Sequence, residues 1–195
     1  MNARPLLKKV VFLDRDGVIN RDSSNYIKKW EEFEFLSGSL DGIRDLTRAG
    51  FTVIVITNQS VINRKMVTTK DLEQIFSKMK EVIASQKGVI KDIFYCPHTP
   101  EERCLCRKPK PGLILEAAEK YHIDLTDAVM VGDSGKDIEC ARNAGCGLAI
   151  LVRTGNIDAA QKELSEKAIS PDYVARDLNE AAEYIIDTSG QHPIR

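Results

Sequence analysis

The sequence predicts an α/β protein built on a doubly wound parallel sheet, as a single domain over 1–187 with a flexible tail over 188–195. Three observations predict it. Short, continuous apolar runs recur along the chain, the form taken by strands buried on both faces of a parallel sheet. Segments with apolar residues at helical spacing separate most of them, and such alternation marks a doubly wound sheet. Acids, hydroxyls and glycines follow the strand-like runs directly, at the carboxyl ends where ligands bind in this architecture.

The first strand is KVVFLD (9–14), a compact apolar run closed by an acid. Leu40, Ile43, Leu46 and Ala49 then form a helical stripe, with Ser39 as its expected N-cap and Gly50 as its stop. FTVIVITN (51–58), rich in β-branched residues, is the second strand. The clearest helix follows on Leu72, Ile75, Phe76, Met79, Val82 and Ile83, between Thr68 or Thr69 and Gly88. DIFYC (92–96) is the third strand, and Pro111 opens a helix carrying Leu113, Ile114, Ala117, Ala118 and Tyr121. AVMVGD (128–133) is the fourth strand, followed by a helix through Ile138, Ala141 and Ala144 to Gly145. LAILV (148–152) and the weaker DYV (172–174) are the remaining strands, and a last helix begins near Asp177 with Leu178, Ala181 and Ile185.

A length of 195 residues suits one domain with a sizeable core. A formal net charge of −1 and a pI near 6.3 supply no basic field for nucleic acid. No stretch approaches the ~20 apolar residues that span a bilayer. The N-terminal segment lacks a signal-peptide apolar core, so a cytoplasmic location is expected, with no membrane partner. In that compartment clustered cysteines read first as metal ligands.

The stretch CPHTPEERCLCRKPKPG (96–112) carries such a cluster. Cys96, His98, Cys104 and Cys106 form two short ligand pairs, and three thiolates with one imidazole make a closed tetrahedral zinc site of the structural kind. Zinc would fix a loop too poor in apolar residues to fix itself, and with it Arg107 and Lys108, which follow the last ligand. Cys140 and Cys146 read as small buried residues, and His122 and His192 as surface histidines.

The strand ends carry the remaining chemistry. Asp14-Arg15-Asp16-Gly17 closes the first strand, Thr57-Asn58-Gln59-Ser60 the second, and Gly132-Asp133 the fourth, with Asp137 on the helix that follows. Each has a plain reading alone: a turn acid, a β-branched strand residue, an acidic helix N-terminus. Together, with Lys108, they suggest a cation and a phosphate on one rim.

FLDRDGVIN resembles the first motif of the haloacid dehalogenase superfamily of phosphohydrolases, VITNQS its second, Lys108 in RKPKPG its third and VGDSGKDIECARNAG its fourth. The resemblance covers nearly the whole chain. The zinc clip followed by CRKPKPG is similar to the branch that holds heptose 1,7-bisphosphate phosphatases and histidinol phosphatases.

The resemblance implies a Rossmann-like haloacid dehalogenase fold. The spacing of the first two motifs leaves no room for a large cap domain. It implies Asp14 as nucleophile, forming an aspartyl-phosphate, and Asp16 as acid and then base. It implies Mg2+ held by Asp14, the Asp16 backbone carbonyl and Asp133, with Thr57 and Lys108 on the phosphoryl oxygens and Asp137 orienting its neighbours. Arg15 receives no role. Asn58, Gln59, Ser60, Arg107 and the segment Asp22-Ser23-Ser24-Asn25-Tyr26 are the expected substrate contacts, with Arg107 on a second phosphate or a sugar edge.

The implied reaction is removal of the 7-phosphate from D-glycero-D-manno-heptose 1,7-bisphosphate by a monomer, and in that family the product feeds lipopolysaccharide-core or nucleotide-heptose synthesis. Histidinol phosphate is the alternative substrate, and a zinc-stabilised binding module without turnover is the reading from another class. Two departures bear on the substrate: SVINRKM stands where the heptose enzymes show glycine-containing sequence, so that Val61, Asn63 and Lys65 are unusual, and Ser134 stands where they often carry lysine.

Overall fold

The structure, a computed structural model, describes residues 6–191. Six strands, β1 (Val10–Leu13), β2 (Thr52–Asn58), β3 (Ile90–Cys96), β4 (Ala128–Gly132), β5 (Leu148–Val152) and β6 (Tyr173–Ala175), form one parallel sheet in the order β3-β2-β1-β4-β5-β6. The chain winds outward from β1 to β3, then returns to add β4 on the other side of β1. The strand order therefore reverses between β1 and β4, the crevice where open α/β sheets bind ligands.

Residues of alternate parity face opposite layers, so both sets must be apolar. Val11, Leu13, Val55, Val131 and Val152 pack beneath α1 (Ser39–Arg48), α2 (Thr69–Ser85) and α6 (Leu178–Gln191). Phe12, Ile54, Ile56, Met130 and Leu151 pack beneath α3 (Gly112–Tyr121), α4 (Gly135–Ala144) and α5 (Ile157–Glu166). Val10, Val11, Phe12 and Leu13 are completely buried, which makes β1 the centre of the core and a rigid base for the residues just after it.

Local chemistry sets the helix ends. Thr68 and Asp71 exchange hydrogen bonds in a capping box that opens α2, a device that stabilises a helix by about 1 kcal/mol. The cap of α1 is Gly38 rather than Ser39, because the Ser39 hydroxyl turns back to donate to the Leu36 carbonyl. Helix α5 has no counterpart in the sequence reading: of its residues only Ala160 and Leu164 are buried, so its apolar stripe is short.

The tail expected from residue 188 begins inside α6, and residues 192–195, with His192, lie outside the described residues. Between β1 and α1 the chain makes a single helical turn at Trp30–Glu32, braced by Trp30 stacked on Phe33 at 5.0 Å. Asn20 ties that segment to the strand-end turn, bridging to Asp16 on one side and to Phe35 on the other. No described helix is long and apolar enough to cross a membrane.

Candidate active site and metal centres

Asp14 continues the ladder for one residue beyond β1, its N–H donating to the Val131 carbonyl at 3.0 Å, so it stands beside the end of β4. The chain then turns sharply. Gly17 has φ of +80°, and a Cβ there would lie 2.2 Å from an Asp133 carboxylate oxygen. A residue with a side chain is excluded on both counts. The turn thus brings the first motif against Asp133 of the fourth.

Lys108 joins three elements at this point. Its Nζ lies 2.8 Å from Asp14 Oδ1 and 2.6 Å from Asp137 Oδ1, and donates to the Ile56 carbonyl at 2.9 Å. Burial works against its charge, but Asp137 and Asp14 outweigh that and hold its pKa above the ordinary lysine range. Asp137 is divided between two tasks. Its Oδ2 accepts from the Ser134 N–H and hydroxyl, capping α4, while Oδ1 meets Lys108. Ser134 and Asp137 thus share a capping box that holds the Asp137 carboxylate against Lys108.

The carboxylates of Asp14, Asp133 and Asp137 lie within 4.8 Å of one another. Burial pushes Asp14 up to about 7, opposed by Lys108 and reinforced by Asp137. Burial, with Asp137 and Asp14, pushes Asp133 up to about 8. Lys108 accounts for Asp137 and one oxygen of Asp14. What remains is a set of hard oxygen donors pushed toward protonation by burial and by one another, which a divalent cation relieves. The donors fit magnesium.

Asp16 is held differently. Arg15 Nη2 donates to both its oxygens at 2.6 and 2.7 Å, Arg15 Nε to Oδ1 at 3.1 Å, Asn20 Nδ2 to Oδ1 at 2.9 Å and Gln59 Nε2 to Oδ2 at 2.9 Å. Burial alone would raise its pKa, but the Arg15 charge and these hydrogen bonds prevail and lower it.

Thr57 and Gln59 are buried at the end of β2, and Gln59 Nε2 also reaches Thr57 Oγ1 at 3.0 Å. Asn58 clamps the Lys108 peptide from both sides, accepting from its N–H at 3.1 Å and donating to its carbonyl at 3.3 Å. Ser60 is buried, with Arg64 Nε 3.5 Å from its hydroxyl.

Cys96, His98, Cys104 and Cys106 converge. The Cys106 sulfur lies 3.3 Å from Cys96 Sγ, 3.3 Å from His98 Nδ1 and 3.4 Å from Cys104 Sγ, and Cys96 Sγ lies 3.5 Å from both His98 Nδ1 and Cys104 Sγ. A tetrahedron with metal–sulfur bonds of about 2.3 Å has edges of about 3.8 Å, so with modest expansion the four atoms could hold one metal ion such as zinc. Lys110 Nζ ties the loop by donating to the carbonyls of Arg103 and Cys104 at 2.9 and 2.7 Å. Arg107 Nη1 donates to the His98 carbonyl at 3.0 Å, which fixes its guanidinium to the same clip. Cys140 and Cys146 are buried, as the sequence reading held, and His122 is exposed.

The segment from Asp22 to Tyr26 forms one wall of the mouth. Asp22, Ser23 and Tyr26 line a small recess with Asp16, Gln59 and Val61. Asp22, Ser23, Asn25 and Tyr26 also line a wider cavity of about 370 Å³. Asp22 accepts from the Ser23 N–H at 2.8 Å, and Ser23 Oγ accepts from the Asn25 N–H at 3.2 Å, so the loop stiffens itself; Ser24 is exposed. Across the mouth, Arg64 lies over the Tyr26 ring at 6.0 Å and Asn63 donates to both Glu102 oxygens at 2.8 and 3.0 Å. Asn63 therefore stitches this loop to the loop that carries the Cys/His cluster.

Three residues escaped the sequence reading. Arg15 lies inside the first motif and faces Asp16. Thr154 and Gly155 follow β5, and Thr154 Oγ1 donates to the Gly17 carbonyl. A Cβ at Gly155 would sit 2.1 Å from Asp133 Oδ2. For Thr154 and Gly155 the available signal was their position just after a buried strand, the same one that marked Asp14 and Asp133.

This fold, with a strand-end Asp-x-Asp, a buried lysine and a Gly-Asp-x-x-x-Asp cap, defines a haloacid-dehalogenase-like hydrolase. The HAD-hydrolase-like family model matches residues 105–181. A D-glycero-beta-D-manno-heptose-1,7-bisphosphate 7-phosphatase of Bordetella bronchiseptica is 41% identical over 179 residues, which cover 91% of this chain and 98% of the relative. One of Pseudomonas putida is 47% identical over 147 residues, covering 75% and 83%. The crystal structure of D,D-heptose 1,7-bisphosphate phosphatase from B. bronchiseptica, complexed with magnesium and phosphate, superposes with a TM-score of 0.85 at 40% identity, covering 92% of this chain and 99% of that one. The chain belongs to the D-glycero-D-manno-heptose-1,7-bisphosphate 7-phosphatase family of haloacid-dehalogenase-like hydrolases.

Proposed function

We propose that the chain is a magnesium-dependent phosphoric monoester hydrolase that removes the 7-phosphate from D-glycero-D-manno-heptose 1,7-bisphosphate through an aspartyl-phosphate on Asp14. The observation that carries the reading is the placement of Lys108 between Asp14 and Asp137, with Asp133 beside them at the sheet's switch point. The relatives' shared activity supplies the substrate.

Asp14 meets Lys108 and the Arg15 N–H through Oδ1, which leaves Oδ2 for phosphorus. Oδ2 forms the new P–O bond as the bond to the sugar oxygen breaks, and Asp16 gives that oxygen its proton. Water then attacks phosphorus, Asp16 takes the water's proton, and the Asp14–phosphate bond breaks. Lys108 and Thr57 hold phosphoryl oxygens as charge moves through the transition state. Asp14, Asp133 and the Asp16 backbone carbonyl would hold Mg2+, which supplies positive charge against repulsion between carboxylate and phosphate.

The four ligands of the clip would hold a structural Zn2+, with Arg107 set by the clip to meet the distal phosphate. The reading takes the enzyme as a cytoplasmic monomer acting on a small sugar phosphate, without nucleic acid. Its test is Asp14→Asn, which leaves an amide that is a poor nucleophile and a weaker magnesium ligand. Turnover should be abolished, and no phosphate should be trapped on the protein after an acid quench. Near-normal turnover by the variant would overturn the covalent mechanism.

A further inference from the structure

We propose that Arg15 is the positioning residue for the general acid: its guanidinium, with Asn20 and Gln59, fixes the Asp16 carboxylate in the orientation that serves the leaving oxygen. The inference rests on the aspartyl-phosphate reading above and extends it to a residue with no assigned part.

Arg15 is 1% exposed, although it is the first residue beyond Asp14 at the rim of the sheet. A long cationic side chain at such a place ordinarily reaches solvent. Here it folds inward, with its guanidinium 5.8 Å from the centre of the Phe76 ring on α2. Among the described residues its side-chain hydrogen bonds all go to Asp16, and Nη1 has no partner. A buried cation is costly unless it is paired, and the partner here is the Asp16 carboxylate.

Asp16 needs a brace because of where it sits. It lies on a sharp turn at the mouth, with its side chain 22% exposed, and its two torsions would otherwise be free. Five hydrogen bonds from Arg15, Asn20 and Gln59 fix both oxygens. Gln59 Nε2 also bonds Thr57 Oγ1 at 3.0 Å, so the phosphate-holding hydroxyl and the proton-transfer group share one anchor. The brace therefore sets the position of the proton-transferring carboxyl relative to the bound phosphoryl group; because Arg15 also favours its ionised form, Asp16 takes up its proton against that bias before it serves the leaving oxygen. Proton transfer by a placed group contributes on the order of 10²–10⁴ in rate and is lost when the group is misplaced.

A sugar alkoxide needs that proton to leave, whereas an aryl oxide or a carboxylate leaves without one. The test is kcat/KM of the magnesium-loaded enzyme for heptose 1,7-bisphosphate against p-nitrophenyl phosphate and acetyl phosphate. Arg15→Met should lose roughly 100-fold on the sugar phosphate, in kcat rather than KM, and less than about fivefold on the activated substrates. Arg15→Lys, which keeps the charge without the fork, should recover part of the loss. Asn20→Ala should show the same pattern at about five- to tenfold, and it carries the test if Arg15→Met does not fold. Equal losses on both substrate classes, or no loss on the sugar phosphate, would overturn the proposal. Asp14→Asn run alongside should abolish both classes; if it does not, the nucleophile assignment fails independently of Arg15.

Discussion

Lys108 Nζ lies 2.8 Å from Asp14 Oδ1, and Lys108 is two residues beyond the last thiol of the clip. This buried cation is thus placed by three means at once: the Cys/His loop before it, the Asn58 clamp on its peptide and the Asp137 carboxylate at its tip. Replacing it with methionine would leave two buried carboxylates facing each other. Lys108→Met should destabilise the metal-free protein by about 3–5 kcal/mol, the usual result of removing one partner of a buried pair. Magnesium should offset part of that. Urea unfolding with and without the ion measures both effects, and turnover should fall by at least about 10³.

The raised carboxylates predict a pH dependence. Asp14 at about 7 and Asp133 at about 8 in the metal-free fold stand above their ordinary range, so the fold holds extra protons that the unfolded chain releases. Their contribution to stability is present below about pH 4 and is lost as pH rises through those values. Metal-free melting temperature should therefore decline from these groups toward about pH 8, and the stabilisation given by magnesium should be larger near pH 8 than near pH 5. An equal shift at both would show that the two carboxylates do not form the magnesium site.

Gly155→Ala isolates the magnesium site from phosphate binding. The added Cβ would sit 2.1 Å from Asp133 Oδ2 and 2.9 Å from its Cγ, so the carboxylate has to move. Magnesium affinity measured by calorimetry should fall about 10- to 100-fold, as when a ligand's support is lost. Raising the ion concentration should restore much of the rate.

The sequence made the strands and the polar residues at their ends legible because both are local. Val10 to Leu13 and Val53 to Ile56 are buried on both faces, so they are unbroken apolar runs, and Asp14, Thr57 and Asp133 follow such runs directly. Helix α5 was hidden because only Ala160 and Leu164 reach the core, too few for a stripe. Arg15 was hidden for another reason. Nothing local distinguishes an arginine that reaches solvent from one that folds back over Phe76, and only the packing of α2 on the sheet settles it. The packing of Gly155 on Asp133 likewise depends on β5 lying next to β4, a neighbour relation the strand runs do not carry.

The zinc clip should matter through placement. Cys106→Ser removes the ligand nearest to Lys108 and should lower zinc content by elemental analysis. Displacing Arg107 and Lys108 by about 1 Å should cost on the order of 100-fold in rate. Full activity with zinc absent would show that the loop holds itself.

Arg107 tests how the substrate's second phosphate is read. Its Nη1 is tied to the His98 carbonyl, which leaves the rest of the guanidinium fork for an anion. Arg107→Ala should reduce kcat/KM for heptose 1,7-bisphosphate roughly ten- to 100-fold more than for a heptose 7-phosphate, the size of a charge-assisted contact. Equal losses would place the distal phosphate elsewhere.

The most direct test of the whole account is 31P NMR of the products formed from both anomers of heptose 1,7-bisphosphate with magnesium, with histidinol phosphate and fructose 1,6-bisphosphate run in parallel. The account predicts inorganic phosphate and heptose 1-phosphate, formed faster from a heptose bisphosphate than phosphate from either other substrate. Heptose 7-phosphate as the product, or faster release from histidinol phosphate, would contradict it.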